Sequence, residues 1–216
     1  MFIELVDVLR CLEPHEDTWL VASVTRWDGR HIVEGVLGCP ACRREYVVSD
    51  GITWFVDPSA VRDGGRLTTA APTAPPDRVA RAAALLGLTE GGGTILLGGD
   101  WVGCADALVE LGAGQVVLVN AAPSSPSAQE VSSIVVGDRL PLAAGALRGV
   151  ALGGGAATAA LVASAAGALR PRGRLVAPSS VTVPDGVAEL ARDHEDWVAE
   201  RAGSVSPPVP IRVGRR

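Results

Sequence analysis

Four side chains in the first fifth of the chain could bind one metal ion. Cys39 and Cys42 form a Cys-x-x-Cys pair, and this spacing lets both thiolates reach the same ion, as in a zinc knuckle. A tetrahedral zinc site needs two further ligands, and Cys11 and His15 could supply them. The pattern therefore predicts a structural zinc site formed by Cys11, His15, Cys39 and Cys42.

The identity of the fourth zinc ligand stays open at this stage. Three residues separate Cys11 from His15, and this gap is wider than zinc ribbons usually have. Other residues nearby could replace His15: His31, Glu13 or Asp17. A disulfide is unexpected in a cytosolic chain, and ordinary buried thiols would not explain the spacing of Cys39 and Cys42.

A glycine-rich turn is the second candidate site. Residues 97–103 read Leu-Gly-Gly-Asp-Trp-Val-Gly and stand between an apolar strand and a helical stretch. A turn at such a junction is where a doubly wound α/β sheet binds a nucleotide-like ligand. Trp101 occupies the middle of the turn, where a close approach of the backbone to a ligand would require glycine.

Composition narrows the class of protein. The chain has 216 residues, of which 48% are hydrophobic and 20% charged, so it is expected to be globular. A net charge of -5 argues against a general nucleic-acid binder.

Residues 1–12 lack the pattern of a signal peptide. Residues 150–169 are uncharged but rich in Ala and Gly, which gain little from a membrane, so we expect a strand, a turn and a buried helix there. We therefore expect no membrane partner and a cytoplasmic location.

A change of composition near residue 58 predicts two folded pieces. Residues 1–57 hold three of the four cysteines and are predicted to form a zinc-ribbon domain with an N-terminal helix and a hairpin of strands 19–26 and 31–37. Residues 58–77, rich in Gly, Pro, Thr and Ala, are predicted to be a linker. Residues 78–216 are predicted to form an α/β domain.

The second piece alternates apolar strands with Ala-rich helices. Strands are predicted at 94–97, 115–120, 133–136, 149–152 and 174–178, and helices at 77–86, 102–111 and 156–169, with Asp77 as N-cap and Gly87 as the stop of the first helix. This alternation favours a parallel sheet with helices on both faces and ligands at the carboxyl ends of its strands. Residues 187–201 could form a helix or a hairpin, and the Pro184-Asp185-Gly186 start favours the hairpin.

The first piece resembles the small zinc-ribbon proteins that activate tRNA and protein methyltransferases. The resemblance rests on Cys11, the Cys39–Cys42 pair and the segment Tyr-Val-Val-Ser-Asp-Gly-Ile at 46–52. It implies that the zinc is structural and that the ribbon docks onto a methyltransferase domain. This chain departs from the family at the first knuckle, where His15 stands in place of a cysteine.

The second piece resembles the class I S-adenosylmethionine-dependent methyltransferases. Four stretches carry the resemblance: 95–103, 116–120, 136–142 and 169–176. It implies a Rossmann-like methyltransferase sheet that binds S-adenosylmethionine. The cofactor positions that it implies are Gly99, Gly103, Asn120 and Asp138, with Asp100 as a substitute for a lost carboxylate.

Three residues depart from the methyltransferase pattern. Leu97 stands where the family usually has an acid, Trp101 where it has a glycine, and Asn120 where a carboxylate takes the ribose hydroxyls. An amide lacks the strength of a charge-assisted hydrogen bond. Each departure alone could be without consequence for the pocket: Leu97 could be strand core, Asn120 could be a tolerated polar substitute, and the Trp101 side chain could point outward. Together they predict a cofactor pocket that is weakened or filled.

Two functions follow from these patterns. The first is a degenerate methyltransferase-like protein with a structural or regulatory role, which binds another protein through its ribbon or its sheet face. The alternative is an active S-adenosylmethionine-dependent methyltransferase acting on a small molecule, RNA or protein. No nucleophile–base pair or paired carboxylates stand out, so no catalytic residue is predicted, although methyl transfer can run on positioning alone.

Overall fold

A computed structural model describes residues 1–57, 73–88, 91–121 and 130–203. Within these residues the chain forms eleven strands and three α-helices. The strands are β1 (Val21–Asp28), β2 (His31–Gly38), β3 (Glu45–Ser49), β4 (Ile52–Trp54), β5 (Thr94–Gly98), β6 (Gln115–Val119), β7 (Val131–Val135), β8 (Leu147–Leu152), β9 (Leu169–Pro178), β10 (Val187–Arg192) and β11 (Asp196–Arg201). The helices are α1 (Pro76–Leu86), α2 (Ala105–Glu110) and α3 (Ala159–Ala168).

All eleven strands belong to one sheet, in the order β1-β2-β3-β4-β7-β6-β5-β8-β9-β11-β10. The strands from β7 to β9 run parallel, as predicted from their nearly continuous apolar sequences. β11 pairs antiparallel with β9 and with β10, so residues 187–201 form the predicted hairpin. The fold is the α/β sheet with parallel central strands and helices on both faces that the sequence predicts.

The ribbon strands extend this sheet rather than standing apart from it. β1 to β4 form an antiparallel meander, and β4 then pairs parallel with β7 through Ile52–Ser133, Thr53–Ile134 and Trp54–Val135. The predicted linker at 58–77 lies mostly outside the described residues. Its last two residues, Pro76 and Asp77, belong to helix α1.

Apolar side chains cover both faces of the sheet. On the face that we call the first face, ribbon residues such as Leu5, Leu9 and Leu37 share a core with Val136 and Leu161. On the second face, α1 and α2 pack with Leu97, Trp101 and Leu118. The first-face core therefore joins the two pieces of the chain through buried side chains as well as through strand pairing.

The ends of helix α1 test two of the predicted caps. Gly87 ends the helix in the left-handed conformation (φ 64°), as predicted. Asp77 is not the N-cap: Pro75 holds that position and Asp77 lies in the first turn. Two consecutive prolines explain the shift, because proline fits the first turn, where no N–H partner is needed.

Three other predicted helices are shorter than expected. The helix predicted at 156–169 spans only Ala159–Ala168, since Ala156 belongs to a 3₁₀ turn and Leu169 begins β9. The N-terminal helix is a 3₁₀ helix over Ile3–Val8 and ends before Cys11, because Leu9 and Arg10 extend to bridge Leu142 and Trp19. The predicted helix at 102–111 begins as a 3₁₀ helix over Gly99–Cys104 and becomes α-helical only at Ala105. No helix in the described ranges is long and apolar enough to span a membrane.

Candidate metal centre and cofactor pocket

The structure brings the four predicted zinc ligands together. One ligand atom each from Cys11, His15, Cys39 and Cys42 lies within 4.8 Å of the others. The 3₁₀ helix and the Leu9–Leu142 bridge deliver Cys11. The Cys39–Cys42 pair sits in the tight turn between β2 and β3, which is closed by hydrogen bonds from Cys39 N to Arg44 O (2.8 Å) and from Arg43 N to Cys39 O (2.9 Å).

The distances between these atoms suit a tetrahedral zinc ion. Zn–S bonds of about 2.3 Å and a Zn–N bond of about 2.0 Å require S···S separations of about 3.8 Å and an S···N separation of about 3.5 Å. Cys11 Sγ and Cys42 Sγ are 3.7 Å apart, and Cys39 Sγ and His15 Nε2 are 3.4 Å apart. The cluster is therefore compatible with a zinc site, and zinc as its occupant stays a prediction.

Groups behind the ligands hold them in place. His15 Nδ1 lies 2.7 Å from the carbonyl oxygen of Glu16, which favours a proton on Nδ1 and leaves Nε2 to face the thiols. The Tyr46 hydroxyl accepts a hydrogen bond from Leu12 N (3.1 Å) and lies 3.4 Å from Cys11 Sγ. Burial raises the pKa of the Cys11 thiol, but its hydrogen bonds, led by that with Tyr46, bring this pKa below the usual value.

The three alternative ligands have other partners in the fold. Asp17 forms an ion pair with Arg10 (3.3 Å), and Glu13 lies 3.7 Å from Arg44. The His31 ring stacks edge-on against Phe2, with 5.6 Å between ring centroids. The structure thus favours His15 over these residues as the fourth ligand.

A pocket of about 280 Å³ opens at the carboxyl ends of the parallel strands, on the first face. Three of the five predicted cofactor residues line it: Gly99, Asn120 and Asp138. The opposite wall of the pocket was not predicted from the sequence. It lies after β8 and is formed by Gly155, Ala156, Thr158 and Leu161. The run Gly153-Gly154-Gly155 behind an apolar strand was an available signal for that wall.

The other two predicted cofactor residues lie outside this lining. Asp100 is exposed, and its carboxylate packs near Gly153 and Gly154, 3.3 and 3.4 Å from where their Cβ atoms would stand. The carbonyl oxygen of Gly103 accepts a hydrogen bond from Ala74 N (2.9 Å). Asp100 therefore contacts the loop after β8, and Gly103 holds the segment before α1.

Two glycine loops close against each other beside the pocket. Gly153 N donates to Gly98 O (3.0 Å). Gly99 has a φ of 62°, and a Cβ atom on it would stand 1.9 Å from Gly153 O. No space remains between the backbones of the β5 and β8 loops at this point. Glycine at position 99 is thus required by backbone–backbone contact, without any ligand.

The Asn120 side chain serves the fold as well as the pocket. Its residue adopts a left-handed conformation (φ 55°), which Asn tolerates better than most residues. Its Oδ1 accepts a hydrogen bond from Val136 N (2.8 Å) and so links the ends of β6 and β7. This oxygen is already used within the protein, and the amide nitrogen is a donor only.

Leu97 and Trp101 do not enter the pocket. Leu97 is fully buried (0% exposed) and Trp101 is 2% exposed, and both belong to the second-face core. Arg78 covers the indole, with its Cζ 5.0 Å from the ring centroid. Trp101 therefore does not fill the pocket, as the sequence led us to expect it could, because the 3₁₀ turn after β5 directs the indole toward α1 on the other side of the sheet.

No protein-family model and no curated protein sequence matches the chain. Solved structures with a similar fold include the MycE methyltransferase of the mycinamycin biosynthetic pathway (11% identity, TM-score 0.46, 68% of this chain and 54% of that one). They also include a phosphoethanolamine N-methyltransferase from Haemonchus contortus (16%, 0.42, 50% and 29%) and a geranyl diphosphate C-methyltransferase from Streptomyces coelicolor (17%, 0.35, 45% and 43%).

The chain therefore matches only about half or less of the length of these three proteins.

Proposed function

We propose that this chain has a methyltransferase fold that has lost the usual binding site for S-adenosylmethionine. It acts as a structural or regulatory partner of another protein. The observation that carries the proposal is the contact between Gly99 and Gly153. In a doubly wound sheet the ligand crosses the carboxyl ends of the central strands. Here the loops after β5 and β8 meet at that place.

The remaining pocket suits a fragment of the cofactor better than the whole. Its volume of about 280 Å³ lies just below the range of about 300–1,000 Å³ that is typical of small-molecule sites. Two of its polar residues, Asn120 and Asp138, follow the ends of β6 and β7, where an adenosine would lie. The pocket therefore has room for a nucleoside. The contact between the loops after β5 and β8 leaves no space for the amino-acid part of the cofactor.

The zinc cluster and the exposed ribbon surface support a partner role. We infer that zinc holds the turn between β2 and β3 against the start of the chain and so stabilises the ribbon. The ribbon exposes large apolar side chains that its own core does not use: Trp19 (56%), Val21 (61%), Trp27 (50%) and Val47 (44%). We infer that a partner protein covers at least part of this exposed apolar surface.

Calorimetric titration with S-adenosylmethionine and with adenosine tests whether the cofactor-binding site has been lost. We expect weak binding of both, with affinities within about threefold of each other, because the methionine part adds no contacts. Asp138→Ala should weaken both equally. Micromolar binding of S-adenosylmethionine, far tighter than that of adenosine and weakened by Asp138→Ala, would contradict the proposal.

An active S-adenosylmethionine-dependent methyltransferase is the second candidate. It is favoured by the convergence of Gly99, Asn120 and Asp138 on one pocket. Under this alternative the loops would have to separate when the cofactor binds. Protection of the 98–103 and 153–158 amides in hydrogen exchange should then fall on addition of S-adenosylmethionine, whereas the proposed function predicts no change there.

A further inference from the structure

A second cleft among the described residues lies at the opposite end of the parallel strands from the cofactor pocket. It has a volume of about 630 Å³ and lies between the end of α1 and the first residues of β8 and β9. Four arginines line it, with Glu200 as the single carboxylate: Arg148, Arg170, Arg172 and Arg174. The proposed function uses none of these residues.

A bulge of three extra residues in β9 carries two of the arginines at the cleft. Leu147 pairs with Leu169 and Gly149 pairs with Arg174, so β9 advances five residues while β8 advances two. The additional residues Arg170, Pro171 and Arg172 loop out of the ladder, and Arg172 adopts a left-handed φ of 62°. Bulges of this kind re-aim side chains next to binding sites, and an L-residue in this conformation costs free energy.

The other two arginines are fixed by the end of helix α1. Arg148, which is 7% exposed, donates to Gly92 O (2.8 Å) and Gly87 O (3.2 Å). Arg174 donates from Nη1 to Ala84 O (3.2 Å) and Leu85 O (3.3 Å). Three of these bonds satisfy carbonyls at the end of the helix and the fourth reaches the loop before β5, so that both guanidinium groups are held in fixed positions at the cleft.

Helix capping does not account for the bulge arginines. Arg170 and Arg172 are exposed, and no hydrogen bond or ion pair joins either of them to another residue of the described ranges. They stand beside two fixed guanidinium groups in a protein of net charge -5. Such a concentration of positive charge against the overall balance attracts anions.

The lining of the cleft indicates the class of anion. Arginine binds phosphate through paired N–H donors. Ala83, Ala84, Leu86 and Pro171 add an apolar wall, and the volume lies within the range of about 300–1,000 Å³ typical of small-ligand sites. We propose that this cleft binds a small organic phosphate, with its phosphate on Arg170 and Arg172 and its apolar part against the end of α1.

Titration of the full chain with phenyl phosphate and with inorganic phosphate tests this site, because neither probe carries the adenosine that the other pocket would accept. Phenyl phosphate should bind more tightly than inorganic phosphate. Arg170→Gln and Arg172→Gln should each weaken binding roughly tenfold, and Glu200→Gln should tighten it roughly threefold.

Arg26→Gln is the matched control, since it removes one exposed arginine from β1 at the far edge of the sheet. It should leave binding of both probes unchanged. Equal weakening by Arg26→Gln and Arg170→Gln would show a general charge effect and overturn the proposal. So would the absence of binding by the wild-type chain at about 10 mM of either probe.

Discussion

Single residues at the two sites differ in whether their polar atoms are free for a ligand or already bonded to the backbone. Cys11, His15, Cys39 and Cys42 converge on one point. Asn120, by contrast, faces the pocket while its Oδ1 is bonded to Val136 N. The role of a residue here depends on where its polar atoms are already bonded, and residue type alone does not reveal that.

Replacing one thiol ligand should remove the metal. We expect Cys39→Ser to lower zinc content from about one equivalent to less than about half, because three ligands bind zinc more weakly than four. His15→Cys should keep the metal, since it supplies a fourth thiolate. Metal analysis of the purified protein measures both.

Cys104→Ala is the control for the thiol substitutions. Cys104 is fully buried in the second-face core, so its replacement removes a thiol away from the cluster. Full zinc content is expected in this variant. Equal zinc in the wild-type chain and in Cys39→Ser would argue against the proposed site.

Trp101 should matter for stability and not for cofactor binding. Trp101→Ala would leave a cavity between α1 and the sheet and should lower the free energy of unfolding by about 3–5 kcal/mol. Urea denaturation measures the loss. A large gain in affinity for S-adenosylmethionine in this variant, measured below its unfolding range, would show instead that the indole blocks the ligand.

At the scale of elements, the turns after β5 and β8 determine the shape of the pocket. β5 ends at Gly98 and Gly153 directly follows β8, and the two loops approach within backbone contact. Helix α3 begins just beyond, where Thr158 Oγ1 accepts a hydrogen bond from Leu161 N (3.2 Å). The pocket is the space left between this helix start and the ends of β6 and β7.

A matched pair of glycine variants tests that closure. Gly99→Ala should lower the free energy of unfolding by at least about 2 kcal/mol, because its φ is positive and its Cβ would overlap Gly153 O. At Gly155 a Cβ meets nothing within 4 Å, so Gly155→Ala should change stability by less than about 0.5 kcal/mol. Thermal and denaturant unfolding of the two variants should differ accordingly. Similar stabilities would mean that the loops stand apart in solution.

At the scale of the whole molecule, the ribbon and the α/β piece share one sheet and one first-face core. The three residue pairs between β4 and β7 continue the hydrogen-bonded ladder across the predicted boundary. Leu5, Leu9 and Leu37 would lose buried contacts if the pieces separated.

We therefore expect the chain to unfold as one cooperative unit. Scanning calorimetry should show a single transition, with calorimetric and van't Hoff enthalpies in agreement. Removal of metal with a chelator should lower the midpoint of that transition, because the ribbon core is shared with the rest of the protein. Two resolved transitions, with only the lower one sensitive to the chelator, would instead show two independent domains.

The sequence by itself determined the features that depend on local pattern. Apolar runs predicted the parallel strands, Gly87 predicted the end of α1, and the cysteine spacing predicted a ligand set that the structure brings together. These signals are local because strand burial, helix caps and metal knuckles are formed by residues close in the chain.

Only the tertiary structure decided which face of the sheet each side chain occupies. Leu97 and Trp101 lie near Gly99 in sequence but pack on the opposite face from the pocket. The direction of the turn after β5 fixes this, and it depends on contacts with the loop after β8, more than fifty residues away. The pairing of β4 with β7, and the four arginines gathered from β8 and β9, likewise arise from strand order and register, which no short stretch of sequence specifies.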